Sequence, residues 1–163
     1  LGPTLRIHGL ANRNGIVYNT SMEQPKIVVD TNVLVSALRS KHGASYRLMM
    51  LLDSGLYRMA VSVPLVLEYE SAAKKLPGRT QLSPQDIEAV IDYLCAQAVP
   101  VDIYYLWRPF LKDPKDDMVL EAAVASGCSH IVTFNVKDFA GSEQFGLHIV
   151  SPQMFLAEVG VKP

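Results

Sequence analysis

Cysteine is scarce in this chain: Cys95 and Cys128 are the two in 163 residues. That is too few, and too far apart, for a disulfide scaffold or a zinc knuckle, so both are read as reduced core residues. An excess of one charge is missing as well. Fifteen Lys and Arg stand against sixteen Asp and Glu, a net charge of −1. A general basic coat for nucleic acid is excluded, which leaves room only for a local basic patch. No apolar run approaches the about 18 residues of a membrane span. The longest, around Leu48 to Leu52, is broken by Asp53 and Gly55. A phosphate-binding loop is missing too, because Lys41 precedes Gly43 instead of following a second glycine. His42, His130 and His148 share no spacing suited to metal or acid–base work, and the last two sit in strand-like runs. A cytoplasmic location is the expectation that these absences leave.

The first stretch also lacks a helical or strand period. Residues 1–25 scatter Gly2, Pro3, Gly9, Gly15 and Pro25 among Asn12, Asn14 and Asn19. They show no basic region followed by an apolar run and a small-residue cleavage site, so a signal peptide is not expected. The reading is an N-terminal extension over 1–25 without a functional role, with Met22 as a natural start, followed by one domain over 26–160.

What the chain does have is core. Apolar residues make up 49 % and charged ones 19 %, a globular composition. Lys26 to Asp30 is a β-branched run that ends on an acid, as a strand buried on both faces would. Helices are predicted over Asn32 to Arg39 and Ala44 to Asp53, then a strand over Tyr57 to Ser62. Pro64 opens a helix to Lys75, which Pro77-Gly78 ends. Ser83-Pro84 is an N-cap with proline at the first helical position, and that helix runs to about Ala98. A strand follows over Ala98 to Asp102, then an aromatic-rich connection from Ile103 to Leu111. The remainder reads as a helix from about Asp116 to Ser126, strands at His130 to Phe134 and Leu147 to Val150, and a last helix to Val159. Strands alternating with helices of this length predict an α/β fold around a mainly parallel sheet of about five strands, covered on both faces.

This layout places the acids. Asp30 ends the first strand, and Glu68 lies in the first turns of the helix after the second. Asp113, Asp116 and Asp117 cluster where a helix begins, and Asp138 follows the fourth strand. In an open parallel sheet, ligands bind beyond the carboxyl ends of the strands, so these side chains can converge. Converging carboxylates repel unless a cation holds them. An oxygen-only set without His or Cys favours Mg²⁺ or Mn²⁺ over zinc, an ion suited to phosphodiester cleavage. Taken singly the acids have blander readings. Asp116 and Asp117 fit a helix N-terminus, Glu68 a solvated face and Asp138 a turn.

Three blocks carry a resemblance. They are Val28-Val-Asp30-Thr31-Asn32-Val33-Leu34-Val35-Ser36; Val61-Ser-Val-Pro64-Leu-Val-Leu-Glu68-Tyr-Glu70; and the run from Asp113 through Gly127 and Thr133 to Phe139. In this order and spacing the chain resembles the PIN-domain family, over about Lys26 to Val159. The resemblance implies a three-layer α/β/α PIN-like fold with a metal-dependent ribonuclease site. Many bacterial relatives of this size are VapC-like toxins of toxin–antitoxin pairs. By position, Asp30 falls on the family's first acid, Glu68 on its second and Asp117 on its third, with Asp138 near its fourth. Asp113 and Asp116 are alternatives for the third, and Thr31 or Asn32 would orient the first. The fourth position departs from the pattern, reading Asn135 where many relatives place an acid earlier in that loop. The implied partners are an RNA substrate, a cognate antitoxin, and a second copy of the chain in a homodimer or higher oligomer.

Outside the acids, Tyr104, Tyr105 and Trp107 with Arg108 form an aromatic–basic cluster. It reads either as a stacking surface for single-stranded bases, with Arg108 on a phosphate, or as ordinary packing. Lys74, Lys75 and Arg79 are either RNA-backbone contacts or a solvated helix end. Two functions from different classes stay open: a Mg²⁺- or Mn²⁺-dependent endoribonuclease that cleaves single-stranded or looped RNA by metal-activated water, and a non-catalytic PIN-like RNA- or protein-binding module. Phosphoryl-transfer proteins also place acids at strand ends. Lys137 is the one lysine near a late strand that would serve such chemistry.

Overall fold

The computed structural model describes residues 24–161. The 1–25 extension, including Met22, therefore lies almost wholly outside the described residues. Five strands form one sheet in the order β3-β2-β1-β4-β5, with every adjacent pair parallel. These are β1 (Lys26–Val29), β2 (Arg58–Val61), β3 (Val99–Pro100), β4 (His130–Val132) and β5 (His148–Val150). Six helices join and cover them: α1 (Thr31–Arg39), α2 (Ala44–Met50), α3 (Val63–Ala73), α4 (Pro84–Gln97), α5 (Asp117–Ser126) and α6 (Pro152–Glu158). The architecture is a three-layer α/β/α sandwich.

The central strand is the most apolar, as a strand flanked on both edges and both faces must be. Ile27, Val28 and Val29 are fully buried, as are Ile131 and Val132 beside them. β3 shrinks to two residues where five were expected. Pro100 supplies no N–H, which confines that segment to a short edge strand. α2 ends at Met50, earlier than expected, because Leu51 to Ser54 turn off the helix and Gly55 takes φ 78. Capping follows the sequence closely. Ser83 Oγ accepts from the Asp86 amide while Asp86 returns the bond to Ser83. Ser62 and Ser151 cap α3 and α6 through the amides of Leu65 and Met154. Two 3₁₀ turns, Val136–Phe139 and Ser142–Phe145, were not read from the sequence.

The connectivity sets the position of the site. The chain moves outward from β1 through β2 to β3, then returns across the sheet to β4 and β5. The order therefore reverses between β1 and β4, and the crevice beyond their carboxyl ends is where such sheets take ligands. α5, the return crossover, packs on β1, β2 and β4, which brings its N-terminus to that crevice.

Candidate active site

Asp30 occupies the first position beyond β1 and is the N-cap residue of α1. Only 6 % of it is exposed. Its Oδ2 accepts from Thr133 Oγ1 at 2.6 Å and from Asn32 Nδ2 at 2.7 Å. Thr133, fully buried beyond β4, also accepts from Asn32 Nδ2 at 3.2 Å and from the Asn135 amide at 3.0 Å. Asn32 Oδ1 in turn accepts from the Phe134 amide. The first acid, the first helix and the loop after β4 are thus joined across the switch point. Burial raises the Asp30 pKa; the Thr133 hydroxyl and the amides of Asn32 and Thr31 oppose it, and the charge of Asp138 adds to it.

Asp116 precedes α5 and is the most perturbed acid. Its pKa is pushed up to about 6, first by burial and then by the charges of Asp30, Asp113, Asp138 and Asp117. Asp116 therefore lies within electrostatic reach of four other carboxylates. Asp138 is half-buried in the 3₁₀ turn whose Phe139 is anchored in the core. Asp113 is exposed, and its Oδ1 accepts from the Lys115 amide at 3.0 Å.

Asp117 differs in kind. It is fully buried, and its Oδ1 accepts from the Leu111 amide at 2.9 Å, while Oδ2 has no hydrogen-bond partner. Glu68 is half-buried on α3, beside the fully buried Tyr69, whose hydroxyl donates to the Val29 carbonyl. It is not among the charges that shift Asp30 or Asp116. Thr31, in the first turn of α1, offers its amide to Asp30.

The weaker candidates separate clearly. Arg108 is held by Glu121: its Nε and Nη2 donate to the two carboxylate oxygens at 3.0 and 2.9 Å. Its guanidinium is therefore engaged within the chain. α3 begins at the carboxyl edge of the sheet and runs about 16 Å, which carries Lys74 and Lys75 to the far end from the acids. Lys74 pairs there with Glu70 at 3.6 Å. Arg79 borders an apolar cavity of about 680 Å³ between α1, α2 and α4. His130 is tied to Glu158 and Ser129, a structural arrangement.

One buried acid was missed by the sequence reading. Glu121 is only 2 % exposed, and besides Arg108 it accepts from the Trp107 amide at 3.2 Å. The signal was available: a lone acid inside the apolar run Met118 to Val124.

The donor set fits a hard divalent ion. It is all oxygen, it is crowded with like charge, and it contains an orphaned buried oxygen on Asp117. Among the described residues, however, no three acid, His or Cys side chains stand close enough to enclose a metal ion.

A parallel α/β/α sheet with a carboxylate cluster at its switch point defines a class of acidic-site proteins. The comparisons name the family within it: the PIN-domain model matches residues 26–137, and the chain belongs to the PIN-domain family. No curated protein matches significantly. Eight chains of solved structures do. One comes from the crystal structure of VapBC2 from Rickettsia felis bound to a DNA fragment from their promoter. It has 17 % identity and a TM-score of 0.54, covering 76 % of this chain and 98 % of that one. At that identity the likeness is one of fold.

Proposed function

We propose that this PIN domain, over 26–160, is a Mg²⁺- or Mn²⁺-dependent endoribonuclease that cleaves single-stranded or looped RNA. The observation that carries the reading is the buried Asp30, held at the switch point by Thr133 and Asn32, with Asp116 beside it under the influence first of burial and then of four neighbouring carboxylates. Like charges are assembled there at a cost in repulsion that a bound cation removes. When bound, a divalent ion lowers the pKa of a water and neutralises charge on the scissile phosphate.

Asp30 and Asp116 would hold the ion, with Asp138 and the exposed Asp113 completing the acidic wall. Asn32 and Thr133 fix the Asp30 carboxylate, and Thr31 offers it a backbone amide. Asn135 closes the loop through Thr133. The resemblance alone favoured Asp117 as third acid. Its full burial and its bond to Leu111 support a holding role instead, with Asp116 taking the ligand position. Glu68, which the resemblance aligns with the second acid, would serve a second ion recruited with substrate.

The likeness of fold to one chain of a VapBC pair supports a cellular role as the toxin of a toxin–antitoxin pair. We extend it to a cytoplasmic protein with a cognate antitoxin and a homodimeric or higher assembly. The test is cleavage of mixed single-stranded RNA with Mg²⁺, Mn²⁺ or EDTA, alongside Asp30→Asn. Metal-dependent cutting that disappears in the variant is expected. Equal inertness of both folded proteins overturns the nuclease reading in favour of a binding module.

A further inference from the structure

We propose that the segment from Ile103 to Leu111 is a strap that presents Tyr105 and Trp107 as a stacking surface for bases of single-stranded RNA, and that Glu121 is the residue positioning it. The inference rests on the nucleolytic reading of the acid cluster and names how its substrate is held.

The strap has no regular secondary structure, so something other than a hydrogen-bonded ladder must fix it. Two buried carboxylates on α5 do so. Asp117 and Glu121 are four residues apart, about 6 Å along one helix face. They accept the amides of Leu111 and Trp107, which are also four residues apart. Glu121 then closes a bidentate pair with Arg108, a geometry that fixes orientation as well as distance. The strap is therefore clamped along α5 and leads directly into Asp113 and Asp116.

From below, aromatic rings support it. Trp107 packs edge-on against Phe145 at 4.8 Å between centroids, and Phe110 packs on the same ring at 5.3 Å. Gly141, whose φ of +94 favours glycine, lies against the Phe110 ring. Above this floor Tyr105 leans on Trp107 at 4.7 Å and leaves 65 % of its surface in solvent. Phe134, in the loop after β4, is 51 % exposed.

Such large rings held rigidly in water are suited to stacking bases, which is sequence-tolerant. Charge argues for a nucleic acid as the occupant. Lys112 lies between the strap and Asp113, Lys115 between Asp113 and Asp116, and Lys137 next to Asp138, and all three are exposed. They place positive charge for phosphates beside an acid site for a metal, in an otherwise neutral chain.

The experiment uses the single tryptophan. Binding of a labelled eight-nucleotide oligoadenylate, and of the same ribose–phosphate strand without bases, is measured by anisotropy in EDTA while Trp107 emission is recorded. The adenylate should quench Trp107, and the abasic strand should bind more weakly without quenching. Tyr105→Ala should weaken the adenylate about tenfold, and Tyr105→Phe should restore it. Glu121→Gln should lower the affinity ratio of adenylate to abasic strand while the abasic affinity and the far-ultraviolet circular dichroism stay unchanged, a combination that loss of overall fold would not produce.

Saturating adenylate with unchanged Trp107 emission, or equal affinity of Tyr105→Ala and the unsubstituted chain, overturns the strap proposal. The nuclease reading is scored separately by the Asp30→Asn cleavage assay. Quenching by bases in a protein that cleaves nothing would support the strap and overturn the nuclease.

Discussion

Thr133 Oγ1 donates to Asp30 Oδ2 at 2.6 Å, joining residues 103 apart in sequence at the point where strand order reverses. The bond fixes Oδ2 of the first acid, which Asn32 Nδ2 also reaches. Thr133→Val would keep the shape and remove the donor, leaving Asn32 and the Thr31 amide to orient the carboxylate. Supporting residues of this kind are worth about 10- to 100-fold in metal affinity or activity. Thr133→Val should lose cleavage within that range, measured on a fluorogenic RNA, and Asp30→Asn should lose more.

Asp116 makes the metal-free protein sensitive to pH in a definite direction. A carboxylate whose pKa is raised in the fold binds its proton more tightly folded than unfolded. Its contribution to stability is present below about pH 4 and is lost as pH rises through about 6. His130 acts the other way, since burial lowers its pKa and its contribution is lost as pH falls. The difference between two proteins isolates the first effect. In EDTA, Asp116→Asn should be the more stable protein at pH 7, with the gap closing towards pH 4.5. Adding Mg²⁺ at pH 7 should raise the melting temperature of the unsubstituted chain and leave the variant little changed. Thermal melts across that range, with and without the ion, check both statements.

Asp116 and Asp117, adjacent in sequence, should part completely on substitution. Asp117→Ala removes the acceptor for the buried Leu111 amide and should cost about 1–3 kcal/mol in urea unfolding. Asp117→Asn keeps a carbonyl oxygen for that amide and should stay close to the unsubstituted stability with cleavage retained. Asp116→Asn should do the reverse, folding well and losing cleavage. If Asp117→Asn instead abolishes metal-dependent cleavage, its unpartnered oxygen is a ligand and the assignment exchanges.

Much of the architecture was legible because the strongest local signals agreed with the fold. Lys26 to Val29 is an apolar run closed by an acid, and Ser83-Pro84 marks a helix start that the structure caps as expected. Topology also suggested that Asp30, Glu68, Asp113, Asp116, Asp117 and Asp138 can face one edge, because a parallel sheet sends every strand's carboxyl end there, yet Glu68 is not among the charges that shift Asp30 or Asp116. Side-chain direction did not follow. Asp116 and Asp117 differ by one residue, about 100° around a helix, and that step separates an acid facing the others from one turned into the interior. Arg108 stayed open between a phosphate contact and packing because an exposed arginine and one clamped by a buried glutamate look alike in sequence. The 3₁₀ turn that carries Asp138 was missed because four residues give too little periodicity to register.

Glu68 and Asp138 supply the sharpest contrast available at this site. Asp138 acts on both Asp30 and Asp116, whereas Glu68 is absent from the charges shifting either. Replacing Asp138 by Asn removes a negative neighbour, so the Asp116 proton should come off at lower pH in the metal-free protein. Replacing Glu68 by Gln should leave that titration where it is. Carboxyl carbon resonances of ¹³C-labelled aspartate, followed from pH 4 to pH 8 in EDTA, report the two cases directly. Cleavage tests a separate property, because Glu68 is proposed to act only once substrate and a second ion are present. Glu68→Gln should therefore reduce cutting without moving the Asp116 midpoint, and its effect should shrink as the Mn²⁺ concentration is raised. A Glu68→Gln protein whose Asp116 midpoint shifts as far as that of Asp138→Asn would place Glu68 inside the same cluster before any metal binds.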